Sequence, residues 1–202
     1  DLSQQSFALG QTDVPSQFKY FMRVACTTGN NHAGMWQKIE DVTSVQGTVT
    51  VSFYAKGTNP NGGEFELNIR QNFGSSGSTE VEQNKTFTVS SSWQRFTFVV
   101  QLEDISGKTV SGGNDYVWVY FRQPSYDTST NAWTLDFTGV CLHVGDRAIY
   151  FPHRSYSDEL QRCQKYFQKS YQQGVAPSDS HVSVVEGPLA AYSANAAYAT
   201  TM

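Results

Sequence analysis

The chain has 202 residues, of which 14% are aromatic and only 16% charged, with a formal net charge of −4. Lys and Arg form no cluster, so the basic stripe that a nucleic-acid binder presents is missing. No apolar run approaches the roughly 18 residues that a membrane-spanning helix needs.

With so few charges, surface polarity has to come from Ser, Thr, Asn and Gln. Aromatic richness together with 16 Gly favours an all-β fold. The three cysteines, Cys26, Cys141 and Cys163, are far apart and odd in number, with no CxxC spacing. That pattern argues against a disulfide framework or a zinc site. It reads as small buried hydrophobes: Cys26 and Cys141 in strands, Cys163 on the apolar face of a helix. The first ten residues, DLSQQSFALG, lack the basic and apolar regions of a signal peptide and do not begin with Met. They are expected to follow processing or to continue a longer chain.

Residues 1–17 read as an extended lead-in. Strand signals then follow at Phe18–Cys26, Met35–Val42 and Thr48–Ala55. The third is the cleanest, with Val49, Val51, Phe53 and Ala55 alternating against Thr48, Thr50, Ser52 and Tyr54. Asn59–Gly63 is a turn by composition. Glu64–Arg70 alternates Phe65, Leu67 and Ile69 against Glu64, Glu66, Asn68 and Arg70. After the flexible loop 74–79 come Glu80–Val89, Trp93–Leu102, Tyr116–Gln123 and Trp133–Val144. This density of strands and turns over residues 18–147 predicts a two-sheet antiparallel sandwich with one solvated face per sheet.

The segment 148–172 changes period. Pro152 stops the preceding strand, Ser157 is placed to cap a helix, and Asp158 and Glu159 suit the positive end of the helix dipole. Leu160, Cys163, Phe167 and Tyr171 recur at helical spacing, with Tyr166 beside them, and define the packing or interface stripe. Residues 173–202 carry Val184, Val185, Leu189, Tyr192 and Tyr198 with no local core. They read as the start of a second small β module or as an arm that orders on a neighbouring subunit.

No catalytic constellation emerges. There is no GxSxG, and His32, His143, His153 and His181 lack metal-ligand spacing. Glu64/Glu66 and Glu80/Glu82 each lie on one face of one strand. They are expected on a solvated surface rather than across a hydrolytic cleft. No phosphate loop, cofactor motif or metal cluster is expected. Aromatics remain as candidate ligand contacts, because a ring on a solvated face or loop can stack on a sugar. Tyr54 and Tyr126 fit that description. Trp36, Trp93, Trp118 and Trp133 read as core.

The run WTLDFTGVCLHVGDRAIYFPHRSYSDELQRCQKYFQKSY resembles a segment of tail-fibre and related virion structural proteins of tailed bacteriophages. Phe151, Arg154, Glu159, Leu160, Cys163, Tyr166, Lys169 and Ser170 carry the likeness. The upstream run QKIEDVTSVQGTVTVSFYAKG resembles the first core strands of the jelly-roll module in those proteins, so the likeness spans about residues 18–172. Two positions depart from the pattern: His143 replaces an acidic residue and Lys165 an Arg.

The resemblance implies an all-β, two-sheet antiparallel jelly-roll sandwich followed by one helix. It also implies a non-enzymatic virion component assembled in the host cytoplasm, a homotrimer that contacts other tail proteins and either binds a host-surface glycan itself or spaces and orients a distal tip. A carbohydrate-binding module of a polysaccharide-active enzyme and a capsid-decorating protein are the alternatives with the same fold.

Overall fold

The computed structural model describes residues 1–15, 17–27, 34–59, 62–124 and 132–165. The chain divides into two compact units, Asp1–Pro152 and His153–Met202. Among the described residues the first unit holds nine strands. They are β1 (Leu2–Ser6), β2 (Tyr20–Cys26), β3 (Gly34–Glu40), β4 (Thr48–Thr58), β5 (Glu64–Asn72), β6 (Val81–Thr88), β7 (Gln94–Gln101), β8 (Tyr116–Arg122) and β9 (Trp133–Val144).

These strands form two antiparallel sheets, one in the order β1-β2-β9-β4-β7 and the other in the order β3-β8-β5-β6. Only β1–β2 and β5–β6 join neighbours in the same sheet. Every other connection crosses to the opposite sheet, which is jelly-roll wiring. The expected fold class therefore holds. The lead-in contributes a strand of its own, because its N-terminal ammonium donates to Ala25 O at 2.7 Å and β1 pairs along β2.

Period-two alternation decides which side chains meet between the sheets. Val49, Val51, Phe53 and Ala55 of β4, with Leu135 and Phe137 of β9, face Phe65, Leu67 and Ile69 of β5 and Val117, Val119 and Phe121 of β8; all are buried. Phe53 sits at the centre, edge-on to Phe121 at 4.8 Å and to Phe87 at 5.2 Å. Buried polar groups at the margins are paired. Gln71 donates to Glu103 O and accepts from Glu103 N, and the Trp133 indole donates to Gln123 at 2.9 Å.

The two outer faces differ. On the five-stranded sheet, Phe7 packs on Phe21 and Trp93 at 4.9 and 5.3 Å. Phe18 lies over Tyr54 and meets Phe151 edge-on. The lead-in thus folds back over this face. The register of β4 against β9 shifts between Ser52 and Tyr54, and Gly139 at that bulge has φ +61. A Cβ there would stand 2.6 Å from the Phe18 ring, so the close approach needs glycine.

Three expectations need correction. The loop 74–79 is anchored rather than loose: Ser76 N donates to Ser111 O, Ser78 N to Thr109 O and Ser75 Oγ to Gly112 O. Cys26 and Cys141 are only half-buried. The helix α1 (Tyr156–Gln164) is capped by Ser155, not Ser157. Ser155 has extended backbone and its Oγ accepts from Asp158 N at 3.2 Å, whereas Ser157 already lies inside the first turn. Asp158 and Glu159 do occupy that first turn.

No residue of α1 is buried: Leu160 is half-covered and Cys163 is exposed, so Cys163 is not a buried hydrophobe in the single chain. Tyr166, Phe167 and Tyr171, which complete the expected stripe, lie outside the described residues.

Candidate functional site

The outer face of the four-stranded sheet is organised as cross-strand rows. Gly34, Trp36, Lys38 and Glu40 of β3 stand opposite Arg122, Tyr120, Trp118 and Tyr116 of β8. Those residues in turn stand opposite Glu66, Asn68, Arg70 and Asn72 of β5. Thr86, Asn84 and Glu82 of β6 complete the rows beside Glu66, Asn68 and Arg70. This face therefore brings two Trp, two Tyr, three cations and several carboxylates into one patch.

The aromatic part is built on β3 and β8. Trp36 is 53% exposed and stands edge-on to both Trp118 (5.5 Å) and Tyr120 (5.7 Å). Trp118 and Tyr120 lie nearly parallel at 5.3 Å. Cations cover much of the Trp118 and Tyr116 rings: the Arg70 guanidinium lies 4.8 Å from Trp118 and the Lys38 ammonium 4.0 Å from Tyr116. Trp36 is thus the ring left open to stack on a ligand. Trp36 and Trp118 are not core residues as expected; Trp133 is, and Trp93 is half-buried on the other sheet. The alternation of β3 is too short and too polar to reveal this, because an edge strand exposes parts of both its faces.

The polar part is built on β5. Arg122 Nε donates to Glu66 Oε1 at 2.7 Å, and its Nη2 reaches the same oxygen. Glu66 is only 5% exposed, contrary to the expected solvated surface. The reason is that Arg122 on the neighbouring strand lies against it and takes up its carboxylate. Arg70 bridges Glu80 at 2.9 Å and Glu82 at 3.2 Å. Asn68 is fully buried and donates from Nδ2 to Glu82 at 2.6 Å and also to Asn84. Burial alone would raise the Glu82 carboxyl. The Asn68 hydrogen bond and the charges of Arg70 and Arg122 outweigh it and hold this carboxyl below the ordinary value.

Among the described residues, three buried side-chain polar atoms lack a hydrogen-bond partner: Asn68 Oδ1, Arg70 Nε and Trp118 Nε1. All three lie on this face. Buried polar atoms are normally paired, so their concentration on this face sets it apart from the rest of the described residues.

Tyr54 lies elsewhere. It is half-buried on the outer face of the five-stranded sheet, in a small cleft with Phe18, Arg95, Gly139 and Phe151. It belongs to the face that the lead-in covers, not to the aromatic patch. Tyr126 lies outside the described residues. Among the described residues no group of His, Cys, Asp and Glu is arranged to hold a metal, and no helix is long and apolar enough to cross a membrane.

No protein-family model matches the chain, and no characterised protein matches it by sequence. Similarity is found among solved structures. The CBM22-2 xylan-binding domain of Xyn10C from Paenibacillus barcinonensis is 14% identical with a TM-score of 0.47, over 72% of this chain and 87% of that one. A family 11 carbohydrate-binding module from Clostridium thermocellum, solved with a mixed-linked tetrasaccharide, is 15% identical with a TM-score of 0.41, over 72% and 83%. The enzymatically active domain of tailspike protein 4 of bacteriophage CBA120 is 14% identical with a TM-score of 0.43, over 70% of this chain but 19% of that one. All three scores lie below 0.5, so what this chain binds is read from its own side chains.

Proposed function

We propose that this chain is a non-catalytic glycan-binding module of a tailed-phage tail fibre or tail-associated host-attachment protein, with the outer face of the four-stranded sheet as its glycan site. One observation carries the glycan reading: the unpaired buried polar atoms of Asn68, Arg70 and Trp118 gather beside the open ring of Trp36. Sugars need this combination of a stacking surface and hydrogen-bonding groups. The tail reading is supported by the sequence resemblance over residues 148–171, including Phe151, Arg154, Glu159, Leu160 and Cys163.

The carboxylates of the face suit binding better than hydrolysis. A glycosidase needs one carboxyl kept protonated as general acid. Here Glu66 is ion-paired to Arg122, Glu80 and Glu82 to Arg70, and Glu82 is held in its charged form. Incubation with host-surface polysaccharide is expected to release no new reducing ends. Turnover abolished by Glu66→Gln or Glu82→Gln would overturn this part.

Binding is tested by affinity electrophoresis of the purified chain through gels containing host-surface polysaccharide. Retardation is expected, and Trp36→Ala should weaken it by about tenfold or more. A folded Trp36→Ala protein that is retarded as strongly as the parent moves the site off this face. The attachment role predicts that the purified chain competes with phage adsorption. A fused catalytic domain in the full-length gene would instead make this a module of a polysaccharide-active enzyme.

In the same reading the chain assembles as a homotrimer alongside other tail proteins, through the stripe Leu160, Cys163, Tyr166, Phe167 and Tyr171 and the segment 173–202. Solution mass should correspond to three chains, and truncation after residue 172 should weaken association. A stable monomer sinks the interface.

A further inference from the structure

The charge and hydrogen-bonding pattern of this face restricts the kind of glycan it can take. We infer that its ligand is an uncharged, hydroxyl-rich glycan and that the face discriminates against uronate-, sialate- and sulfate-bearing chains. The inference rests on the glycan-binding reading of the same face and narrows it.

Each cation of the face is already engaged. Arg122 is paired with Glu66, and Arg70 is shared between Glu80 and Glu82. The Lys38 ammonium rests over the Tyr116 ring, with Trp118 at 5.8 Å on its other flank. An acidic ligand that drew on Arg70 or Arg122 would take it from a carboxylate of the protein and leave that carboxylate facing its own charge, which leaves it only Lys38, held over the Tyr116 ring. Glu40, Glu66, Glu80 and Glu82 together outnumber the three cations, on a chain whose net charge is already −4.

The unpaired atoms point the same way. Arg70 Nε and Trp118 Nε1 are donors, whereas Asn68 Oδ1 is an acceptor. A carboxylate or sulfate offers acceptors only. It can satisfy the two donors, and the Asn68 oxygen then still needs a hydroxyl donor, so the face calls for hydroxyls whatever else the ligand carries. A sugar hydroxyl both donates and accepts, so a set of neighbouring hydroxyls can satisfy all three atoms once the side chains that enclose them move aside. Glu82 contributes to this selection. Its carboxyl is held below the ordinary value by the Asn68 hydrogen bond and the charges of Arg70 and Arg122 against the opposing effect of burial, so it is negatively charged at neutral pH.

The test uses the full chain against two sets of soluble polysaccharides: neutral ones (xylan, mixed-linked glucan, galactan and mannan) and acidic ones (polygalacturonate, alginate and polysialic acid). Affinities are measured at low and high salt. At least one neutral polymer should bind, lose about tenfold or more with Trp36→Ala, and change less than about twofold between roughly 50 and 500 mM salt. The double variant Glu80→Gln/Glu82→Gln, which frees Arg70, should acquire polyuronate binding that salt abolishes.

Binding of the parent to an acidic polymer, lost in Trp36→Ala and falling steeply with salt, would overturn the inference while leaving the glycan site intact. Binding to neither set would overturn the glycan reading and the inference with it.

Discussion

Arg122 donates to Glu66 at 2.7 Å across the two central strands of the four-stranded sheet, and both side chains are almost enclosed, at 11% and 7% exposure. A charge held this far from water is tolerated only with its partner in place. The Arg122 guanidinium also lies 5.6 Å from the Tyr120 ring, so the pair adjoins the aromatic patch.

Replacing Arg122 by Ala leaves the Glu66 charge enclosed, and should cost about 3 kcal/mol of folding stability. Urea midpoints measure it. The paired replacement Arg122→Met/Glu66→Gln should recover more than half of that loss, because no lone charge remains. A single variant within about 0.5 kcal/mol of the parent would mean that water reaches the pair.

Phe53→Ala removes the ring around which Phe87, Phe96 and Phe121 are arranged. The expected loss is about 3–5 kcal/mol, the usual cost of emptying a buried aromatic position. A thermal midpoint close to that of the parent would contradict this placement of the core.

Gly139→Ala meets two obstacles. Its φ of +61 disfavours any side chain, and the new Cβ would press on Phe18. A loss of about 1–2 kcal/mol is expected from the backbone alone, with more from the clash. Adding Phe18→Leu should relieve the clash but not the backbone part. The two substitutions should therefore be non-additive in a double-mutant cycle.

The Glu82 carboxyl is held below its unfolded value by Asn68, Arg70 and Arg122 against the opposing effect of burial. A depressed folded pKa stabilises the fold above the unfolded pKa of about 4.3, and the contribution vanishes as pH falls through the lower folded value. With the side chain 41% exposed, solvent screening keeps the effect below about 1 kcal/mol. Glu82→Gln should flatten the acid limb of the stability profile below about pH 4 and leave its shape near neutrality unchanged. An unaltered acid limb would show that the Arg70 and Asn68 contacts are not maintained in solution.

Much of the sandwich was legible along the chain. Phe65, Leu67 and Ile69 alternate with Glu64, Glu66, Asn68 and Arg70, and Val49, Val51, Phe53 and Ala55 with their polar neighbours. A strand buried on one side must show that period whatever its surroundings. The short helix with Asp158 and Glu159 in its first turn was equally readable, because dipole and capping effects are local; even so, the cap fell to Ser155. Tertiary structure alone decided which outer face stays open. The outward residues of β4 and β5 look alike in sequence, yet Phe18 folds over Tyr54 of the first set, and the second gathers Trp36, Trp118 and Tyr120 from strands distant in sequence. Strand order and register make those neighbours. Both arise from long-range pairing between segments that carry no mark of their partner, so the exposure of Trp36 is not legible along the chain.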